Sequence, residues 1–189
     1  QQVLKFGVSS VDTTTLGAFQ RNSVDEVVAV AANHAAAVTA LDALFNAAAD
    51  YTIAGSFGTK TASVDAGADA KDVAAAFNLI SNETNVKATA VTKAQLVGSA
   101  AATYSFTLQG KSTTVSTVTA TLTATTDQTA LRDAINAVSG STGIVATLTS
   151  DKSKVNLIQS EGHDIIVGAV AGADMTLDAA DKDGVVTGG

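Results

Sequence analysis

The stretch INAVSGSTGIVATL, residues 135–148, combines the end of a helix, a tight turn and the start of a strand. An apolar stripe with the i, i+3, i+4, i+7 spacing of one helix face runs into it: Leu131, Ala134, Ile135 and Val138. Gly140 and Gly143 then provide the residue type that best tolerates left-handed backbone. Beyond them apolar and polar residues alternate, as in a half-buried strand. The stretch therefore predicts a helix–turn–strand unit.

The stretch FNLISNETNVKATA, residues 77–90, repeats this unit 58 residues earlier. Between residues 69–90 and 127–148, seven of 22 positions are identical, so the similarity extends through the whole helix. The apolar stripe is kept as Val73, Ala76, Phe77 and Ile80. Asn82 and Asn85 replace Gly140 and Gly143, and Asn also tolerates left-handed backbone. The exchange predicts that all four residues serve turn geometry.

Alternating strands surround both copies. The second copy reads as a strand–strand–helix–strand–strand–strand block from about Thr103 to Val170, and the first, from about Tyr51 to Leu96, as a shorter and degenerate version. Asp69 and Asp127 stand where N-cap residues belong. A capping box at residues 23–26 precedes a long Ala-rich pattern, which predicts one helix over residues 24–49.

These patterns predict an α+β fold. It has two β-rich units, each with a short helix packed on a small, mainly antiparallel sheet, plus one longer N-terminal Ala-rich helix. We expect a connector over residues 1–22, a first unit over 23–100, a second over 101–172 and an acidic connector or tail over 173–189. The chain begins at Gln1 without a charged and apolar leader, which is typical of a processed chain or a fragment.

Composition argues against several partners. The formal net charge of −7 repels phosphate backbones and anionic lipid, and the 11 Lys and Arg form no cluster, so we predict neither nucleic-acid nor membrane binding. No apolar run reaches the 18 residues of a membrane span. With no Cys, disulfides and thiol chemistry are excluded.

Candidate catalytic and metal-binding residues are few. His34 is predicted to pack on the long helix, and His163 to be a solvated turn residue. The GKS sequence at residues 110–112 has Ser105 where a phosphate-binding loop needs its first Gly. We therefore predict no catalytic, cofactor-binding or metal-binding residues and no cofactor, and we expect the chain not to be an enzyme.

Two further patterns have ordinary explanations. The acidic stretch at residues 174–184 lacks the spacing of an EF-hand, because position 179 is Ala, so we expect a solvated tail or loop. The NET sequence at Asn82 fits an N-glycosylation acceptor, but its counterpart Gly140 favours a role in the turn.

Three stretches of the second unit carry a resemblance: YSFTLQGKSTTVS, ALRDAINAVSGSTGIVATL and NLIQSEGHDIIV. Together they resemble the IN motif of bacterial flagellins over about residues 103–170. Separately, VDTTTLGAF at residues 11–19 resembles the stretch by which flagellins leave their filament core for the variable outer domains. The long heptad-patterned terminal helices of that family have no counterpart in residues 1–10 or 171–189.

The resemblance implies the central, variable outer region of a flagellin, with domains of the D2/D3 type. That region is an extracellular, surface-exposed and antigenic part of the flagellar filament, a structural protein in motility. Its implied partners are neighbouring flagellin subunits and host antibodies. Without the heptad helices we expect the fragment to be monomeric and not to polymerise. Two alternatives stay open: an insert of a hook-associated or filament-cap protein, and a secreted adhesin or carbohydrate-binding module.

Overall fold

The computed structural model of the chain describes residues 48–180 and 186. Its elements in chain order are β1 Ala49–Ala54, β2 Thr59–Val64, α1 Ala70–Leu79, α2 Ser81–Thr84, β3 Thr92–Gly98, β4 Thr103–Gln109, β5 Ser116–Thr121, α3 Thr129–Ala137, α4 Ser139–Thr142, β6 Ile144–Leu148, β7 Val155–Gln159, β8 Ile166–Ala171 and β9 Met175–Ala179. The connector at 1–22 and nearly all of the helix predicted for 24–49 lie outside the described residues.

The predicted order of the second unit is confirmed. The hairpin β4–β5, helix α3 and strands β6, β7 and β8 follow one another as the alternation and the helical stripe indicate. The strands form two antiparallel sheets, one with the order β6-β7-β3-β9 and one with the order β5-β4-β8. The prediction of small, mainly antiparallel sheets with short helices is therefore correct for the described residues.

The main core takes one alternate set of residues from each of the strands β3 to β9 and one face of α3. Tyr104, Phe106 and Leu108 of β4 are at most 1% exposed, and Leu131 and Ile135 of α3 are 0% exposed. Because side chains alternate across a strand, the Thr and Ser residues between these positions face outward. Apolar burial of this kind contributes roughly 25 cal/mol per Å² to stability.

Strand β3 joins the first unit to the second. It lies before the predicted boundary at residue 100, yet it pairs with β7 on one side and β9 on the other. Ala94 and Leu96 of β3 belong to the main core. The domain boundaries themselves stay a prediction.

Strand β9 differs from expectation. The acidic stretch at 174–184 was expected to form a solvated tail or loop, but Met175–Ala179 is a strand paired with β3. Met175 and Leu177 are buried in the main core, so this part of the expectation is wrong. Met175 and Leu177 alternate with polar residues at the period of a strand, although the stretch as a whole is acidic.

The first copy is a smaller lobe. Its hairpin β1–β2 is a two-stranded sheet against which α1 and α2 pack. Phe77 is 9% exposed and meets the Tyr51 ring edge-on, with ring centroids 5.8 Å apart. Residues 85–91, the counterpart of β6, form no strand. The copy is therefore shorter than the second, as predicted.

Candidate functional site in the repeated motif

In the second copy, side chains close the turn after α3. The Ser139 hydroxyl donates to the carbonyl of Asn136 at 2.8 Å, and the Thr142 hydroxyl donates to that of Val138 at 3.0 Å. The N–H of Ile144 donates back to the Thr142 hydroxyl at 3.2 Å. Thr142 is 0% exposed, so its hydroxyl satisfies backbone groups that water does not reach.

Asn136 ties the helix to the strand that follows. Its side-chain Nδ2 donates to the carbonyl of Ala146 at 2.9 Å, and the N–H of Ala146 donates to its Oδ1 at 2.8 Å. The amide thereby pairs with one residue of β6 in the way that a neighbouring strand would. Asp or Leu at this position lacks one or both of these groups.

The first copy reproduces this network. Asn78 makes the same two bonds to Ala88, both at 2.9 Å. The Ser81 hydroxyl donates to the carbonyl of Asn78 at 2.7 Å, and the Thr84 hydroxyl donates to that of Ile80 at 3.0 Å. Four of the seven identical positions in the two copies carry these bonds. Their identity is explained by turn geometry, without a ligand.

The left-handed residue of each turn is confirmed but differs in its surroundings. Asn85 has φ 58° and Gly143 has φ 70°. Asn85 has room for its side chain, whose Nδ2 donates to the hydroxyl of Ser56 at 2.9 Å. A Cβ on Gly143 would lie 2.9 Å from Cδ of Lys111 and 3.1 Å from Nε2 of Gln159. The left-handed residue of the second turn is therefore more crowded than that of the first.

Gly140 corrects the sequence interpretation. It lies inside α4 without a positive φ, and nothing approaches the position of an added Cβ within 4 Å. Its counterpart Asn82 lies inside α2 and also lacks a positive φ. The prediction that these two residues are needed for left-handed backbone is wrong, because each turn has a single left-handed residue.

Residues 105–161 match the family model described as the flagellin hook IN motif. The chain carries a flagellin IN motif. The match runs from within β4 to just past β7 and contains the whole helix–turn–strand unit. No curated protein matches the chain.

The start of the IN-motif helix departs from prediction. Asp69 is the N-cap of α1 and accepts the N–H of Asp72 at 2.9 Å, as expected. In the IN motif, however, Gln128 is the residue at the cap, and Asp127 accepts the N–H of Thr129 at 3.0 Å. Hydrogen bonds from the Thr129 hydroxyl and backbone lower the pKa of Asp127 below its usual value.

Gln128 is a buried residue that sequence reasoning missed. It is 0% exposed, and its Oε1 accepts the N–H of Gly98 at 3.3 Å while its Nε2 donates to the carbonyl of Gly98 at 3.1 Å. The amide thus completes the backbone pairing of the last residue of β3. No periodic signal marks it, because the contact spans 30 residues of sequence.

The turn between β6 and β7 covers the same helix start. Lys152 has φ 60°, and its carbonyl accepts the N–H of Gln128 at 2.9 Å. Hydrogen bonds from the hydroxyls of Thr149 and Ser153 lower the pKa of Asp151 in this turn to about 2. The Asp151 carboxylate therefore organises the turn that brings Lys152 to the helix.

The remaining candidates are the two histidines and the GKS sequence. His34 lies outside the described residues. His163 is not solvated as expected: its side chain is 19% exposed, and its Nδ1 lies 3.0 Å from Oδ2 of Asp69. Residues 110–112 begin the loop between β4 and β5, where the N–H of Lys111 donates to the carbonyl of Thr142 at 2.8 Å.

In the part of the chain that the structure describes, no group of three or more His, Asp or Glu side chains is arranged to hold a metal ion. None of the helices in that part is long and apolar enough to cross a membrane. The absence of catalytic, cofactor-binding and metal-binding residues stays a prediction.

Proposed function

We propose that the chain is the surface-exposed outer region of a flagellin, with domains of the D2/D3 type. The IN motif at residues 105–161 carries this proposal, because it makes the chain flagellin-related. In this role the region decorates an extracellular flagellar filament, contacts neighbouring subunits and presents an antigenic face to antibodies. It performs no catalysis and takes no cofactor.

The outward face of the β4–β5 hairpin supports exposure to solvent. It is lined by hydroxyl side chains: Thr103, Ser105, Thr107, Thr117, Thr119 and Thr121. Across the strands, the hydroxyls of Thr103 and Thr121 hydrogen-bond at 2.8 Å. A polar face of this kind suits a filament surface in water, and the net charge of −7 keeps copies of the chain apart.

The burial of Tyr104 and Phe106 argues against the carbohydrate-binding alternative and leaves Phe57, which is 70% exposed, as an isolated ring among the described residues. Tyr104, one of two Tyr in the chain, is 0% exposed, and its hydroxyl hydrogen-bonds the backbone of Ala100. Stacking on a sugar requires an accessible ring face. By contrast, one observation supports the alternative of an insert in a hook-associated protein, because the description of the matching family names the hook.

Immunogold labelling of the native organelle tests the proposal. Antibodies raised against this chain are expected to decorate the whole filament length, and a full-length subunit that lacks residues 101–172 is expected to assemble into unlabelled or weakly labelled filaments. Labelling confined to the hook end would establish the alternative, and unlabelled wild-type filaments would refute both.

The oligomeric state of the isolated chain is a second test. Size-exclusion chromatography with light scattering is expected to give a monomer of 18.8 kDa. Filaments formed by the purified chain alone would contradict the proposal that assembly needs parts of the protein beyond these residues.

A further inference from the structure

The first copy of the motif is attached to the IN unit without sharing its core. We call residues 49–84, which contain β1, β2, α1 and α2, the first lobe. Its buried apolar residues are Ala62, Val64, Ala68 and Phe77, and none of them belongs to the main core cluster. Within the described residues, something other than a common apolar core must hold the lobe in place.

A turn of the IN unit contacts the first lobe directly. We call residues 159–163 the docking turn. Gln159 is 0% exposed, and its Oε1 accepts the N–H groups of Glu161 at 2.8 Å and His163 at 3.0 Å. Between them Gly162 has φ 82°, a conformation that favours Gly. A buried amide therefore fixes the shape of the docking turn.

The docking turn meets the start of α1 through two polar contacts. The carbonyl of Gly162 accepts the N–H of Lys71 at 3.0 Å. Nδ1 of His163 lies 3.0 Å from Oδ2 of Asp69, while Oδ1 of the same carboxylate caps the helix by accepting the N–H of Asp72. One carboxylate thereby serves both the helix and the docking turn.

Close packing accompanies these bonds. A Cβ on Gly162 would lie 2.2 Å from Cβ of Ala90 and 3.0 Å from the backbone nitrogen of Lys71. Real carbon atoms do not approach as closely as 2.2 Å, so a larger residue must displace Ala90, and its approach to the Lys71 nitrogen must lengthen the hydrogen bond between Gly162 and α1. Ala90 follows the lobe in the chain and lies just before β3.

The IN unit closes its own helix start in a related way. There the carbonyl of Lys152, also left-handed, accepts the N–H of Gln128 from the turn between β6 and β7. The first copy has no such hairpin in the described residues, since residues 85–91 form no strand. The docking turn of the next unit provides the carbonyl instead.

We propose that the docking turn is an interaction surface whose partner is the preceding repeat. It recognises the start of a helix capped by Asp, using one backbone carbonyl, one imidazole and a Gly that permits close approach. The contact, and not a shared core, determines how the first lobe is held on the IN unit. Loosening it frees the lobe while the IN unit stays folded.

Amide hydrogen exchange on the full chain tests this proposal through Gly162→Ala. Amides of α1 and β2 are expected to exchange about tenfold faster or more, with those of β4 and β5 unchanged, because local opening costs less once the contact is lost. Gly140→Ala is the matched control and is expected to speed exchange in neither region. A uniform change over the chain, or none in α1, would overturn the proposal.

A rescue variant separates the contact from backbone strain. Adding Ala90→Gly to Gly162→Ala removes the Cβ that the new side chain meets, so protection of α1 is expected to return in part. If the double variant exchanges as fast as Gly162→Ala, the close packing against Ala90 plays no part in holding the lobe.

The polar pair provides an independent measurement. Asp69→Asn keeps a good N-cap residue, and His163→Ala removes the imidazole. Both single variants are expected to speed exchange in α1, and the double variant is expected to exchange no faster than the faster-exchanging single variant, because the two residues share one contact. Effects that simply multiply would show that the pair is not coupled.

Discussion

Gly143→Asn tests the packing around the left-handed residue of the IN motif. The substitution places in the second turn the residue that occupies the same position of the first. Asn tolerates left-handed backbone, so the backbone itself costs little. Any larger loss of stability must come from what surrounds the added side chain.

The surroundings predict a substantial loss. The new Cβ would lie 3.1 Å from Nε2 of Gln159, which is 0% exposed, and 2.9 Å from Cδ of Lys111. Lys111 is long and moves readily, whereas Gln159 is held by two hydrogen bonds to the docking turn. Overpacking costs about 1–3 kcal/mol and each hydrogen bond about 1 kcal/mol. We expect a loss of about 2–4 kcal/mol in the free energy of unfolding.

Urea unfolding followed by circular dichroism measures this loss, and Asn85→Gly is the matched control. That variant loses only the exposed hydrogen bond to Ser56 and is expected to cost about 1 kcal/mol or less. The reasoning fails if Gly143→Asn unfolds within about 0.5 kcal/mol of the parent chain, or if Asn85→Gly is the more damaging change.

Four further predictions concern single side chains. Gly140→Ala should stabilise the chain by about 0.5–1 kcal/mol in the same assay, since Ala is the better helix former and nothing crowds it; destabilisation would contradict the open surroundings. Gln128→Ala should lower the free energy of unfolding by about 2–4 kcal/mol, because the buried N–H and carbonyl of Gly98 lose the side-chain amide that pairs with them. Asn136→Ala should lower the free energy of unfolding by about 1–3 kcal/mol, and Asn78→Ala should lower it less, because Asn78 is exposed and Asn136 is half-buried. Equal losses would show that burial does not strengthen these hydrogen bonds. Carboxyl NMR should give Asp151 a pKa of about 2, so its contribution to stability, present above the unfolded pKa, is lost as pH falls towards that value.

Local regularity made much of the fold predictable. The stripe through Leu131 and Ile135 identified α3, and the alternation through Tyr104, Phe106 and Leu108 identified β4, because burial imposes the period of each element on its sequence. The left-handed turn was also predictable, since only a few residue types adopt that conformation cheaply.

The candidate site was less predictable. Internal repetition located the helix–turn–strand unit and its left-handed residue, but the analogy between Asn82 and Gly140 overstated the need for special backbone. Residue exchange between copies shows which types are allowed, whereas the φ angle and the space around each position show which are required. The sequence pattern also failed to indicate strand β9, because its alternating apolar residues lie among carboxylates.

The sequence by itself determined that the chain contains the helix and turn of one unit twice, and it limited the left-handed residue of each turn to two candidates, Asn82 or Asn85 and Gly140 or Gly143. These features follow from periodicity and backbone preference, which act over a few residues. Only the tertiary structure decided that Gln159 and Lys111 crowd Gly143, that Gln128 completes β3 and that the docking turn reaches Asp69. Those contacts join residues 16 to 94 positions apart, and no local pattern records which distant surface a side chain meets.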